Sequence, residues 1–405
     1  MSVLQVVITA RAPLVFSERR PGGQFRQSTP YVPGAVLRGA LAQQLLDADE
    51  QNHPDFAALF TAPDAPLFRH AYPAYFDKTN PPGAFLPSHP LPATAFSCKA
   101  EGGFDRHGVF DSLIDRLCYE KLGVKIPYLP RCNHDEHKGE GDRVEAYRGF
   151  YVDTPNGKRS VSVPSQLTTR VALNRRRKVA EEGLLYSPLV ISEAGAHGAA
   201  TTFQGSIVVN DVNRAVVEKR LPQLTHIGSG AARGFGRVEV KVEHASTNDL
   251  KERVAVFNSN IHGRWKKWAQ LAGKPPCPDS TFFAVLLLSD AILRVDGWTP
   301  TVRLEAAMLG AAGKNAELVR CYAMADYRGG WNTAWGLPKD TELVGRMGSL
   351  YVYHTKNSID DEHWLNALCD LEERGVGERR IEGFGQVRVC DEFHQEIQEV
   401  KACQT

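Results

Sequence analysis

The stretch His226–Val242, H-I-G-S-G-A-A-R-G-F-G-R-V-E-V-K-V, gathers Gly228, Gly230, Gly234 and Gly236 into one short loop with Arg233 and Arg237. Val238, Val240 and Val242 then alternate with Glu239, Lys241 and Glu243, the period-two pattern of a half-buried strand. Glycines let a backbone turn tightly and point successive N–H groups at an anion, and arginines grip phosphate through paired hydrogen bonds. A helical-looking segment, Asp211–Leu224, precedes the loop, and a strand follows. A dinucleotide-binding fingerprint runs the other way, from strand to helix, so that reading is excluded. Gly375–Val389, G-V-G-E-R-R-I-E-G-F-G-Q-V-R-V, repeats the loop and strand after a second helical stretch, Asp360–Arg374. A repeated basic loop argues against an accidental turn.

Working outward, Val3–Val15 reads as a first strand, followed by a glycine-rich basic loop holding Arg19, Arg20 and Arg26. Pro33 and Gly34 open a helix, Ala35–Asp47, whose Leu37, Leu41 and Leu45 form an apolar stripe. Arg38 falls in its first turns, either as a surface residue or as an anion grip at the helix N-terminus. Asp47–Pro92 is proline-rich, with strand-like pieces near Phe68–Phe76. Phe96–Val152 has the look of an insertion with a helix at Val109–Leu122. Arg170, Arg175, Arg176 and Arg177 make the next segment strongly basic, and Gly183–Ser192 and Thr201–Asn210 read as strands. The resulting order, strand, helix, strand, strand, helix, strand, is that of a ferredoxin-like unit.

A second such unit fits Phe282–Leu288, Leu318–Tyr327, Leu343–Tyr353 and the second loop, with its first helix poorly defined. The expectation is an α+β chain with two tandem ferredoxin-like, RRM-like units. They would be residues 1–245, carrying an insertion at about 96–152, and residues 280–405, joined by a linker at 246–279. That linker contains an amphipathic piece, Arg253–Ala272.

The 405 residues suffice for two or three domains, and 42% hydrophobic with 23% charged residues is ordinary for a globular protein. A net charge of +1 means that any nucleic-acid site is local rather than a global basic field. Met1–Ala12 alternates like a strand and lacks signal-peptide features, and no apolar run reaches membrane-spanning length. Eight scattered cysteines then suggest reduced thiols in a cytoplasm.

Pro33-Gly34-x-x-x-Arg38-Gly39 after strand one, with the two glycine-rich loops, resembles the RAMP superfamily of CRISPR-associated proteins. Tyr31–Leu41, Val171–Tyr186, Gly228–Val238, Gly329–Pro338 and Gly375–Val389, in that order, more narrowly resemble the csx-ten kind of type III-D subunit. The resemblance implies an antiviral ribonucleoprotein subunit that holds the crRNA 5′ handle. Its implied partners are a large polymerase-like subunit, backbone subunits and, in the assembled complex, target RNA. Backbone subunits of such complexes cut with an aspartate in the loop after strand one. Here Phe16–Pro33 offers only Glu18, so the expectation is a non-catalytic RNA-binding scaffold. Alternatives are a metal-independent endoribonuclease using His226, or a protein–protein adaptor.

RNA contacts are expected from the arginines above, from Gly228, Gly230, Arg233, Gly234 and Gly236, and from Arg379, Arg380, Gly383 and Gly385. Trp331 and Trp335 are either stacking platforms or core aromatics. In the insertion, Cys132, His134 and His137, completed by Cys98 or His107, have the ligand types for a structural zinc.

Overall fold

A computed structural model describes residues 2–16, 25–48, 53–77, 84–124, 128–132, 143–174, 176–195, 198–244, 250–278, 280–332 and 335–395. The chain is α+β, with two four-position antiparallel sheets, each carrying one of the glycine loops. No helix among the described residues is long and apolar enough to cross a membrane.

In the first sheet, Ser2–Ala10 lies between Val238–His244 and Thr202–Val209. Leu4, Val6 and Ile8 are buried on its inner face, against the Leu37, Leu41 and Leu45 stripe of the helix Gly34–Asp47. The helix Asp211–Arg220 adds Val217 to the same core. The position beyond Thr202–Val209 belongs to two short strands, Leu67–Phe68 and Tyr72–Pro73. Gly183–Ser192, expected there, instead falls, all but its last residue, in Val179–Ile191, which pairs with Ser165–Leu167, Arg170–Asn174 and, in parallel, Phe25–Gln27. Two-residue strands broken at Arg69–Ala71 are too short to show a period, so the sequence favoured the longer apolar run.

The second sheet sets Thr281–Leu287 between Leu350–Thr355 and Val387–Val389, with Ala316–Tyr322 outermost. Both of its faces are covered. Phe282 lies 6.5 Å from Trp265 and Phe283 lies 5.6 Å from Trp364, ring centroid to centroid, on two different helices. This explains an unbroken apolar strand rather than an alternating one. Counted along the chain, both sheets run fourth, first, third, second. The poorly defined first helix of the second unit is replaced by 3-10 turns, Ala306–Gly313, with Gly310 outside helical space at φ 59°, ψ −131°.

The expected linker is mostly structure. Leu250–Ala272 is a 23-residue helix whose Val254, Phe257, Ile261, Trp265 and Ala269 enter the second core. The insertion's helix, Leu113–Lys121, joins that core through Leu113, Leu117 and Cys118. Asp115 fixes it there by accepting from Arg264 Nε at 2.7 Å, Arg264 Nη2 at 2.6 Å and Trp268 Nε1 at 2.8 Å. Arg253, 3% exposed, is paired with Glu372 at 3.0 Å and also donates to the Val389 carbonyl, which satisfies a charge that burial would otherwise penalise.

Phe68–Tyr72 joins the two halves. Arg69 donates to the Glu372 carbonyl and, at 2.7 Å, to the Glu373 carbonyl, closing the last turn of the helix Glu362–Arg374 with a cation. Tyr72 Oη donates to the Leu288 carbonyl. His70 Nδ1 accepts the Gly34 N–H at 3.0 Å, and His70 and the Phe68 carbonyl lie against Gly383 of the second loop. A Cβ on Gly34 would overlap the Phe68 carbonyl oxygen, whereas nothing lies within 4 Å of a Cβ on Gly39 in the same helix. Gly34→Ala is therefore expected to lower stability by about 1–3 kcal/mol or more, and Gly39→Ala to raise it by about 0.5–1 kcal/mol. Thermal denaturation of the two variants beside the wild type measures both signs.

Candidate nucleic-acid interface

The two glycine loops have the same backbone. In the first, Ile227 N–H donates to the Gly236 carbonyl at 2.9 Å, and Gly236 N–H donates to Pro13, just beyond the first strand, at 2.9 Å. In the second, Val376 N–H donates to the Gly385 carbonyl at 2.8 Å, and Gly385 N–H donates to Asp290, just beyond Thr281–Leu287, at 2.8 Å. A 3-10 turn follows in each, Ala231–Arg233 and Arg380–Glu382, flanked by left-handed residues. Gly234 and Gly383 are matching positions, with φ of +81° and +98°. Their surroundings differ. Nothing lies within 4 Å of a Cβ placed on Gly234, while one on Gly383 would overlap His70. Gly234 is exposed; Gly383 and Gly385 are buried.

The first loop is thus the open one. Arg233 and Gly228 are exposed beside Gly234, and Gly230 is half-buried. Gly236 is buried and serves the loop's own closure. Phe235, 5% exposed, packs on Val15 and Val190, and the Arg170 guanidinium sits 4.6 Å from its ring centroid. That contact brings Arg170 to the loop. From Arg170 the hairpin Arg170–Asn174 and Val179–Ile191 runs to a turn where Arg176, Arg177 and Lys178 are exposed. The five-residue strand spans about 17 Å, so basic groups mark both ends of the hairpin. Arg26 lies in Phe25–Gln27, opposite Pro188 of the same sheet. Arg19, Arg20 and Arg175 fall outside the described residues.

The second loop is held inward. Arg379 pairs with Glu382 at 2.6 Å and covers Phe384 at 5.0 Å, and Lys339 pairs with the same carboxylate at 2.7 Å. Arg380 is exposed and donates to the Arg374 carbonyl at 3.4 Å. Arg38, expected either at the surface or on an anion, instead donates to the Phe60 carbonyl at 2.8 Å and lies over the Phe60 ring. Burial lowers its pKa, partly offset by Glu382. The N-terminus of its helix is closed by His70, which removes the room an anion would need. Burial also pushes the His70 imidazole down to about 4, with Asp290 opposing and Arg328 reinforcing the fall. Neutral His70 is what the Gly34 N–H requires, because Nδ1 must accept.

His226 is exposed, and its Nδ1 is 3.0 Å from the Thr225 hydroxyl. Trp331 is half-buried and Trp335 is 78% exposed. In the insertion, Cys98, His107 and Cys132 meet, with their ligand atoms all within 4.8 Å of one another. His134 and His137 lie outside the described residues, so His107 is the histidine seen at this cluster. Phe235, His70 and Arg69 were missed in the sequence because their roles depend on partners far along the chain.

No protein-family model matches the chain, and no curated protein does. Among solved structures it is similar to a chain of the type III-B Cmr-beta bound to cognate target RNA and AMPPnP, at 13% identity, TM-score 0.38 and 86% coverage of each chain. It is also similar to a chain of a type IV-B CRISPR complex, at 14% identity and TM-score 0.23, over 61% of this chain and 92% of that one. Oligomeric Cmr4 from Pyrococcus furiosus gives 14% identity and TM-score 0.24, over 61% of this chain and all 100% of the other. At scores this low the likeness is loose, and the functional reading rests on the chain's own residues.

The His70 contact sets a pH dependence. Its folded pKa of about 4 is below the ordinary 6.5, so the unfolded chain binds the proton first. The stability contributed by neutral His70 is full above about pH 6.5 and drains as pH falls toward about 4. His70→Asn, which keeps an acceptor but does not titrate, should flatten this slope relative to wild type when urea midpoints are compared across that window.

Proposed function

We propose that this chain is a non-catalytic, crRNA-binding subunit of a type III-D CRISPR effector complex, of the csx-ten kind. Its two sheets are read as ferredoxin-like units in tandem, given their shared strand order and equivalent glycine loops. The observation that carries the RNA assignment is Arg170 seated on Phe235, which joins the exposed first loop to the basic hairpin as one surface. Single-stranded RNA is held largely through its phosphates, and such a surface supplies the arginines that grip them.

The proposed face comprises Gly228, Gly234, Arg233, Arg170, Arg176 and Arg177. Gly383, Gly385 and Arg38 are left out of it because the structure buries or engages them. The absence of an aspartate from Phe16–Pro33 and the lone histidine at the first loop support a holding role rather than a cutting one. Within a complex the neighbours would be the large polymerase-like subunit and the backbone subunits, with target RNA paired to the guide.

The test is a salt titration of RNA binding with the full chain and a single-stranded RNA carrying the repeat-derived 5′ end. Replacing both Arg170 and Arg233 by Ala should weaken binding and reduce the log–log salt slope by about 1.4, from roughly 0.7 per phosphate contact. Arg379→Ala should leave that slope unchanged. An unaltered slope in the double variant would remove the assigned face, and cleavage of the RNA in EDTA would overturn the non-catalytic role.

A further inference from the structure

The insertion contains a cluster that RNA binding does not use. Cys98 ends the strand Ala95–Cys98 and is 2% exposed. His107 sits in the turn that returns toward Val109–Asp111, held by its N–H to the Glu101 carbonyl at 3.2 Å. Cys132 comes from a separate segment, aligned by a bridge between Arg131 and Arg143 next to the pairing of Val144 with Cys98. Three stretches of backbone thus deliver three soft or borderline donors to one point.

From this geometry we infer that Cys98, His107 and Cys132 form a zinc-class metal site that staples the insertion. Two observations fit a metal at this point. His107 Nδ1 and Cys132 Sγ are 3.6 Å apart, a separation at which they also share a hydrogen bond. With zinc–sulfur and zinc–nitrogen bonds of about 2.3 and 2.05 Å, the sulfur–nitrogen edge of a tetrahedron is about 3.6 Å. Separately, the Glu101 N–H points at Cys98 Sγ at 3.4 Å, a donor that stabilises a thiolate and orients a ligating sulfur.

Thiolate and imidazole donors select zinc over hard cations, and three protein donors leave one corner of the tetrahedron for a fourth. Binding releases the two thiol protons to solvent and changes no oxidation state. The role is structural: the small three-stranded sheet around Ala95–Cys98 has little apolar core of its own, and a metal ties its turns to the Cys132 segment.

The experiment uses the full chain, purified under reducing conditions after expression with added zinc, and metal content by mass spectrometry. About one zinc per chain is expected, falling by roughly tenfold in Cys132→Ser. Wild-type protein with negligible zinc, or a variant that keeps it, overturns the site. Should the variant fail to fold, alkylation of the wild type decides. Cys132, the more exposed of the two thiols, should resist iodoacetamide until a chelator is added. Equal labelling with and without chelator, or protection lifted only by a reductant as for a disulfide, contradicts the proposal. Cobalt(II) exchanged into the wild type should show thiolate charge-transfer and tetrahedral ligand-field bands. None of these readouts involves RNA, so they are independent of the RNA assignment.

Discussion

The architecture depends on the close approach of Phe68–Tyr72 to the second half of the chain. Four of these five residues make a contact there, Phe68 through its backbone and Arg69, His70 and Tyr72 through their side chains. The Phe68 carbonyl fills the space above Gly34, Arg69 closes a helix in the other unit, His70 sits between Gly34 and Gly383, and Tyr72 reaches the Leu288 carbonyl. All are buried or nearly so, and each unmade bond would leave a desolvated polar group. The two sheets are therefore tied by these hydrogen bonds in addition to the apolar packing of Leu113–Lys121 in the second core.

That joint explains why two loops with one backbone have different fates. Gly234 and Gly383 occupy matching places, yet His70 covers only the second. The aromatic that follows each is also capped differently: Phe384 by Arg379 from within its own loop, Phe235 by Arg170 from a distant strand. An internal cap makes the second loop self-contained, with its charge paired to Glu382. A cap brought from outside makes the first loop the meeting point of two basic segments. Duplicated structure has been used once as a joint and once as a surface.

Much of this was legible in the chain. The repeat of loops, the Pro-Gly helix with its leucines at every fourth place, and the helices before each loop follow from period and punctuation. What escaped had physical reasons. Strand-like pieces near Phe68–Phe76 were legible, but not the place of Leu67–Phe68 and Tyr72–Pro73 in the first sheet, because strands this short carry no measurable period and Val179–Ile191 is the longer run. Leu250–Ala272 showed its amphipathic stripe but not its destination, because periodicity does not separate a linker helix from one that completes a core. The site was half legible. Arg233 and Arg170 stand out as basic residues, but their junction through Phe235 is a tertiary contact, and the burial of Gly383 depends on His70 more than 300 residues earlier in the chain.

The most direct measurement of the central claim is photocrosslinking of bound RNA in the assembled native complex, followed by peptide mapping. Crosslinks are expected in the peptides carrying Arg170–Lys178 and Gly228–Gly236, with the Gly375–Gly385 peptide silent. Crosslinks concentrated in Gly375–Gly385, with the first loop unlabelled, would contradict the division between an open loop and a buried joint.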